Sequence, residues 1–162
     1  MTFRRAALVV LAVGAIVLLP SLAQADITAF VGSVRTTVPQ TVFGAAVSGS
    51  FTIVAFELEY TNANGTADVA KGTPGLSFSA FVRTPTGRVQ FYGGLGVGVY
   101  RETLGEASAN WNTTMNVGGG LTVGLSGPLR VRVDYRIITI KNPATSQSTS
   151  RQRVYAGVNL KF

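Results

Sequence analysis

Residues 129–137 read Leu-Arg-Val-Arg-Val-Asp-Tyr-Arg-Ile, and this stretch restricts the fold more than any other. Leu129, Val131, Val133, Tyr135 and Ile137 alternate with Arg130, Arg132, Asp134 and Arg136. A period of two belongs to an extended strand whose faces meet opposite surroundings. If the apolar face meets hydrocarbon, all four charges point into an enclosed interior. Sliding the strand by one residue would place them in hydrocarbon instead, at about 2–4 kcal/mol for each arginine near a bilayer midplane. One register is therefore strongly preferred.

The same alternation recurs. We read eight strands, at about residues 27–35, 41–49, 52–61, 75–84, 88–101, 112–125, 129–141 and 151–162. In the third, Val54, Phe56, Leu58 and Tyr60 oppose Ala55, Glu57 and Glu59. In the fourth, Leu76, Phe78, Ala80 and Val82 oppose Ser77, Ser79, Phe81 and Arg83. The fifth and sixth set Val, Leu, Phe and Met against faces dominated by Gly, Asn and Thr. The last sets Val154, Ala156, Val158, Leu160 and Phe162 against Arg153, Tyr155, Gly157, Asn159 and Lys161. In the second, Phe43, Ala45 and Val47 are expected to face outward. The first, beginning at Ile27, alternates poorly and receives no face assignment.

The connections alternate too. Ser48-Gly49-Ser50, Thr84-Pro85-Thr86-Gly87 and Ser126-Gly127-Pro128 have the chemistry of tight turns. Thr36–Gln40, Asn62–Pro74, Glu102–Trp111 and Asn142–Ser150 read as longer loops. Short turns at one rim and long loops at the other define an antiparallel up-and-down barrel. The prediction is an all-β, eight-stranded transmembrane β-barrel.

Periodicity alone fits a soluble barrel equally well, with its apolar side inward. Composition favours the membrane form. Charged residues make up 13% of the chain, about half the usual share. The polar faces carry Gly, Ser, Thr and Asn rather than the Lys and Glu of a solvated exterior. In a bilayer every backbone polar group needs an internal partner, and closing the sheet supplies one while removing its edges. The formal charge of +7 includes Arg4 and Arg5 and is otherwise scattered, so nucleic acid is not an expected partner.

Arg4 and Arg5, the apolar run Ala6–Leu19, Pro20 and the small residues Ala23-Gln24-Ala25 form the pattern of an export signal. The run of about 14 apolar residues is short of the ~20 that span a bilayer. Residues 1–25 are thus expected to be a cleaved signal peptide, and residues 26–162 the barrel domain.

These residues resemble the small outer-membrane β-barrels of Gram-negative bacteria, the OmpA/OmpX-like eight-stranded class. The likeness rests on Ala23-Gln24-Ala25, Phe43-Gly44-Ala45-Ala46, Phe56-Glu57-Leu58-Glu59-Tyr60, the Gly-rich run Tyr92–Gly98 and the closing Tyr155–Phe162. It covers essentially the chain from residue 26 onward. It implies a bacterial outer-membrane location, outer-membrane lipids as surroundings, and insertion by the barrel-assembly machinery. Tyr155, Val158, Leu160 and Phe162 are similar to the signal that this machinery reads. Activity does not follow from the fold.

The chemistry-bearing residues gather on few strands. Strands three and seven stand on opposite walls of an eight-stranded barrel, whose interior is just wide enough for side chains to fill. Glu57 and Glu59 are therefore expected to meet Arg130, Arg132, Asp134 and Arg136 across the lumen, helped by Arg83 and Arg153, in a structural network that closes the pore. There is no cysteine and no histidine, which removes thiolate sites and the commonest general base. Outer-membrane lipases and proteases resemble one another in using a histidine, so neither catalytic residues nor a cofactor is expected. Gly93–Gly98 lacks the helix and lysine of a phosphate loop. A single Asp68 makes no calcium site. Tyr100 and Trp111 suit the outer interface. The expected role is structural or one of surface interaction through the loops, whose partner the residues do not specify. A small outer-membrane channel and a soluble periplasmic lipocalin-like ligand-binding barrel are the alternatives.

Overall fold

The computed structural model describes residues 23–35, 39–64, 73–85, 87–104, 108–140 and 150–162. Eight antiparallel strands close into a barrel in chain order: β1 (Ala23–Arg35), β2 (Gln40–Phe51), β3 (Val54–Ala63), β4 (Thr73–Arg83), β5 (Val89–Leu104), β6 (Ser108–Ser126), β7 (Leu129–Ile140) and β8 (Ser150–Lys161). β1 pairs with both β2 and β8, so the ladder has no open edge between first and last strand. The expected fold class is the one observed.

The apolar faces look outward. Phe56, Leu58, Phe78, Phe91, Leu95, Val97, Val117 and Val158 are each half or more exposed, whereas Arg132, Asp134 and Arg136 are buried. Large apolar side chains are exposed on all eight strands, a surface that suits lipid rather than water. The interior is filled by the polar set together with Phe30, Phe81 and Tyr155. Among the described residues no helix is long and apolar enough to cross a membrane.

Two features differ from expectation, and one that the sequence left open is fixed. β1, left without faces, points Asp26, Thr28, Phe30 and Val34 inward, with Ile27 and Val31 exposed. Its inward face mixes polar with large apolar groups, which hides the period. Phe30 is inside because it stacks on Tyr155, ring centroids 4.0 Å apart.

The turn expected at Ser48-Gly49-Ser50 lies further on. Those residues belong to β2 and pair with Glu57, Phe56 and Ala55 of β3, and the chain reverses at Thr52-Ile53. Thr52 has φ 56°, a strained conformation for a β-branched residue, but two-residue hairpins need such values to match strand twist. Ser48 and Ser50 are small because Arg83 lies over them: it donates to both hydroxyls, at 3.3 and 3.4 Å.

The expected loop Glu102–Trp111 is mostly strand. β5 and β6 pair as far as Leu104 and Ser108, leaving residues 105–107 between them. A ladder above the belt needs backbone pairing and no apolar alternation, so its sequence lacks the strand period. Most of the other three long loops, Asp68 included, and residues 1–22 lie outside the described residues; β1 begins at Ala23, ahead of the expected cleavage point.

Candidate functional site

Alternation brings the charged side chains of β3, β7 and β8 to one level of the lumen. Glu57 and Glu59 hang from β3, Arg132, Asp134 and Arg136 from β7, and Arg153 from β8, directly paired with Arg136. Each is at most 4% exposed. Isolated charges could not be held there, because burying an unpaired ion costs several kcal/mol.

Every carboxylate is engaged. Glu57 accepts from Arg132 at both oxygens and from Arg136 Nη2 at 2.6 Å. Glu59 accepts from Arg153 Nη2 at 3.0 Å, with its other oxygen 2.8 Å from the same nitrogen, and lies 3.3 Å from Arg136 Nη1. Asp134 accepts from Arg136 Nε at 2.9 Å and from Arg132 Nη2 at 3.2 Å. Three carboxylates thus meet three guanidinium groups, and the cluster is neutral.

Aromatic rings and one hydroxyl complete the layer. Tyr92 donates to Asp134 Oδ2 at 2.7 Å and accepts from Arg132 Nε at 2.6 Å. The Arg132 guanidinium lies 4.6 Å from the Tyr92 ring centroid, and that of Arg136 lies 5.1 Å from Phe81. These distances are within cation–π range. Glycine makes the space: a Cβ on Gly118 would fall 2.8 Å from Arg136 Cα, and one on Gly120 2.6 Å from the Tyr92 hydroxyl.

Two of the predicted members stand elsewhere. Arg83 pairs with Asp26 at 2.9 Å near the short-turn rim. Arg130 reaches Gln90 Oε1 at 3.5 Å and none of the glutamates. A lumen-facing residue meets those at its own height, and both arginines sit nearer the rim than Glu57. Tyr92 and Phe81 are members that sequence reasoning missed, as was Asp26, the partner of Arg83 nearer the rim. Asp26 was obscured by the poor alternation of β1, whereas Tyr92 and Phe81 already stood on inward faces and could have been found there. Of the predicted assembly signal, Val158, Leu160 and Phe162 are exposed, and Tyr155 is buried in the lumen.

This geometry leaves little for catalysis. A general base needs a free lone pair and access to a substrate. Glu57 and Glu59 are 1% exposed and saturated by arginines. Among the described residues no group of three or more His, Cys, Asp or Glu could hold a metal ion.

No protein-family model matches the sequence, and no curated protein matches it. Solved structures do. Neisserial surface protein A (NspA) superposes with a TM-score of 0.67 at 17% identity, covering 88% of this chain and 98% of that one. The N-terminal β-barrel domain of Pseudomonas aeruginosa OprF gives 0.63 at 16%, covering 86% and 97%. The outer-membrane enzyme PagL gives 0.55 at 17%, covering 83% and 98%. The chain has the fold of the small eight-stranded outer-membrane β-barrels.

Proposed function

We propose that this protein is a bacterial outer-membrane barrel whose closed lumen is a structural core, and whose role is structural or one of surface interaction through the loops. The observation that carries this reading is the neutral cluster of Glu57, Glu59, Asp134, Arg132, Arg136 and Arg153 across the lumen of an apolar-belted barrel. It performs the task of a hydrophobic core in a molecule whose greasy side chains face lipid. The same groups occupy the path an ion would take.

The sharing of this fold with an enzyme makes catalysis a question for the site. This chain has no histidine, and its central carboxylates are held by arginines. We assign it no reaction. Outer-membrane lipid surrounds the belt, and Val158, Leu160 and Phe162 face outward, where an assembly factor could read the last strand. The leader is removed on export, in this reading, near Ala25.

Membrane fractionation combined with gel mobility before and after boiling tests the assignment. A membrane barrel stays with the envelope and migrates faster unboiled. Recovery in the aqueous fraction without detergent would overturn it. Planar-bilayer recording tests closure: the reading expects no steady single-channel conductance, and a reproducible open level would replace the plug with a channel.

A further inference from the structure

Charge is sorted by sign across the wall of this barrel. Among the described residues the carboxylate side chains, Asp26, Glu57, Glu59 and Asp134, all point inward and are at most 3% exposed. The exposed charged side chains are Arg35, Arg88 and Arg101, arginines without exception. Arg101 differs from the other two in its neighbour. It is the direct cross-strand partner of Trp111, the one tryptophan of the chain, and both side chains point outward. Residues directly opposite on an antiparallel pair have Cβ atoms about 5 Å apart.

The pair is open. Trp111 is 61% exposed. Among the described residues neither side chain makes a hydrogen bond, an ion pair or a ring contact. No third described strand flanks them, because the β4–β5 ladder ends at Gly75–Tyr100 and the β6–β7 ladder at Thr114–Ile140. Depth is the second observation. On β5 Arg101 is the outward position after Val97 and Val99, and on β6 Thr113 separates Trp111 from Met115. Arg101 thus stands about 7 Å along the strand beyond the last apolar residue of the belt. The headgroup layer on each side of the hydrocarbon is roughly 5–7 Å deep. A free guanidinium and a free indole N–H are therefore held side by side at the level of lipid phosphates.

We propose that Arg101 and Trp111 bind the phosphomonoester head of a membrane lipid. The guanidinium takes two phosphate oxygens side by side, and the indole N–H donates to the third. A monoester offers three such oxygens. A diester headgroup has two, so it satisfies the arginine and leaves the indole N–H without a partner. The acyl chains of the same lipid lie against Val97, Val99 and Met115, the exposed apolar residues next along the two strands, which a free phosphate ion would not use. The proposal rests on the membrane-barrel reading given above.

The test uses the whole protein in phosphatidylcholine nanodiscs and the emission of Trp111, which no second tryptophan obscures. Phosphatidylcholine, phosphatidylglycerol and phosphatidic acid, each with the same nitroxide on the acyl chain close to the head, are added in separate titrations. Loss of emission reports how often the labelled lipid occupies the site. Phosphatidic acid is expected to reach half-quenching at about a tenth or less of the amount the two diesters need, the worth of one further charge-assisted hydrogen bond. R101Q erases this preference. R35Q, four strands away on the opposite wall, keeps it. Both variants retain heat-modifiable mobility. Phosphatidylglycerol as effective as phosphatidic acid would show that charge alone is read, and equal losses in R101Q and R35Q would show attraction to the rim without a site. Either result overturns the proposal, as does a wild-type barrel that inserts and shows no preference. A chain that does not insert at all overturns the membrane reading, and this proposal with it.

Discussion

Arg136 Nη2 lies 2.6 Å from Glu57 Oε1, although 79 residues of chain separate the two. β3 and β7 are four strands apart in a closed order of eight, so this bond spans a diameter of the barrel. The same guanidinium reaches Glu59 at 3.3 Å and Asp134 at 2.9 Å. One side chain therefore ties opposite walls together. Water and lipid are both kept from it, which makes its partners hard to replace.

Glu57→Gln removes the charge that Arg132 and Arg136 share. Breaking a buried pair from one side costs about 3–5 kcal/mol, because the remaining charge is buried without compensation. The urea midpoint of the refolded barrel, followed by gel mobility, is expected to fall accordingly. Glu57→Gln with Arg132→Met is expected to recover part of the loss. An unchanged midpoint in the single variant would show that the cluster does not hold the barrel.

Gly120→Ala tests whether glycine is required beneath the network. The added Cβ would lie 2.0 Å from Val133 O and 2.6 Å from the Tyr92 hydroxyl, so backbone as well as side chain must move. Overpacking of this kind costs about 1–3 kcal/mol. Gly49→Ala, where a Cβ meets nothing within 4 Å, is the control and is expected to leave the midpoint unchanged.

Leu95→Arg probes the belt. Leu95 is 64% exposed and sits between Ala80 and Val117 on neighbouring strands. Placed near the bilayer midplane, an arginine costs about 2–4 kcal/mol. Unfolding from lipid vesicles reads this directly. A neutral result would mean that the outward face is solvated.

Phe162→Ser separates assembly from stability. Phe162 is 70% exposed, and a surface change of this kind is expected to shift stability by no more than about 0.5 kcal/mol in vitro. If the last strand is read by an assembly factor, the amount inserted in cells falls while the urea midpoint of refolded protein stays. Equal losses in both would mark Phe162 as merely structural.

The lumen network was legible in part, and its errors are informative. On β3 and β7 a clean alternation set Glu57, Glu59, Arg132, Asp134 and Arg136 inward, and strand number put those walls face to face. Arg83 and Arg130 share the same inward phase but not the same height. Alternation reports the side of the sheet a residue occupies and carries no information about the stagger between distant strands. Arg83 therefore meets Asp26, a residue concealed by a strand whose inward face includes Phe30 and Val34.

Turn placement failed for a related reason. Ser48-Gly49-Ser50 has the composition of a turn, yet small residues are equally what a lumen wall needs under a long arginine. Thr52-Ile53 carries no turn signature, and the reversal occurs there because register holds Phe51 opposite Val54.

The sequence by itself determined the strand period, the strand count, the closed antiparallel order and, on every strand but β1, the side of the sheet that faces outward. Each follows from local chemistry repeated along the chain: hydrocarbon rejects arginine, and an unpaired backbone must find a partner. Only the tertiary structure decided which charges meet. Partnering depends on the relative height of strands that are distant in sequence, a quantity set by barrel closure and by the packing of Phe30, Phe81, Tyr92 and Tyr155 around the arginines.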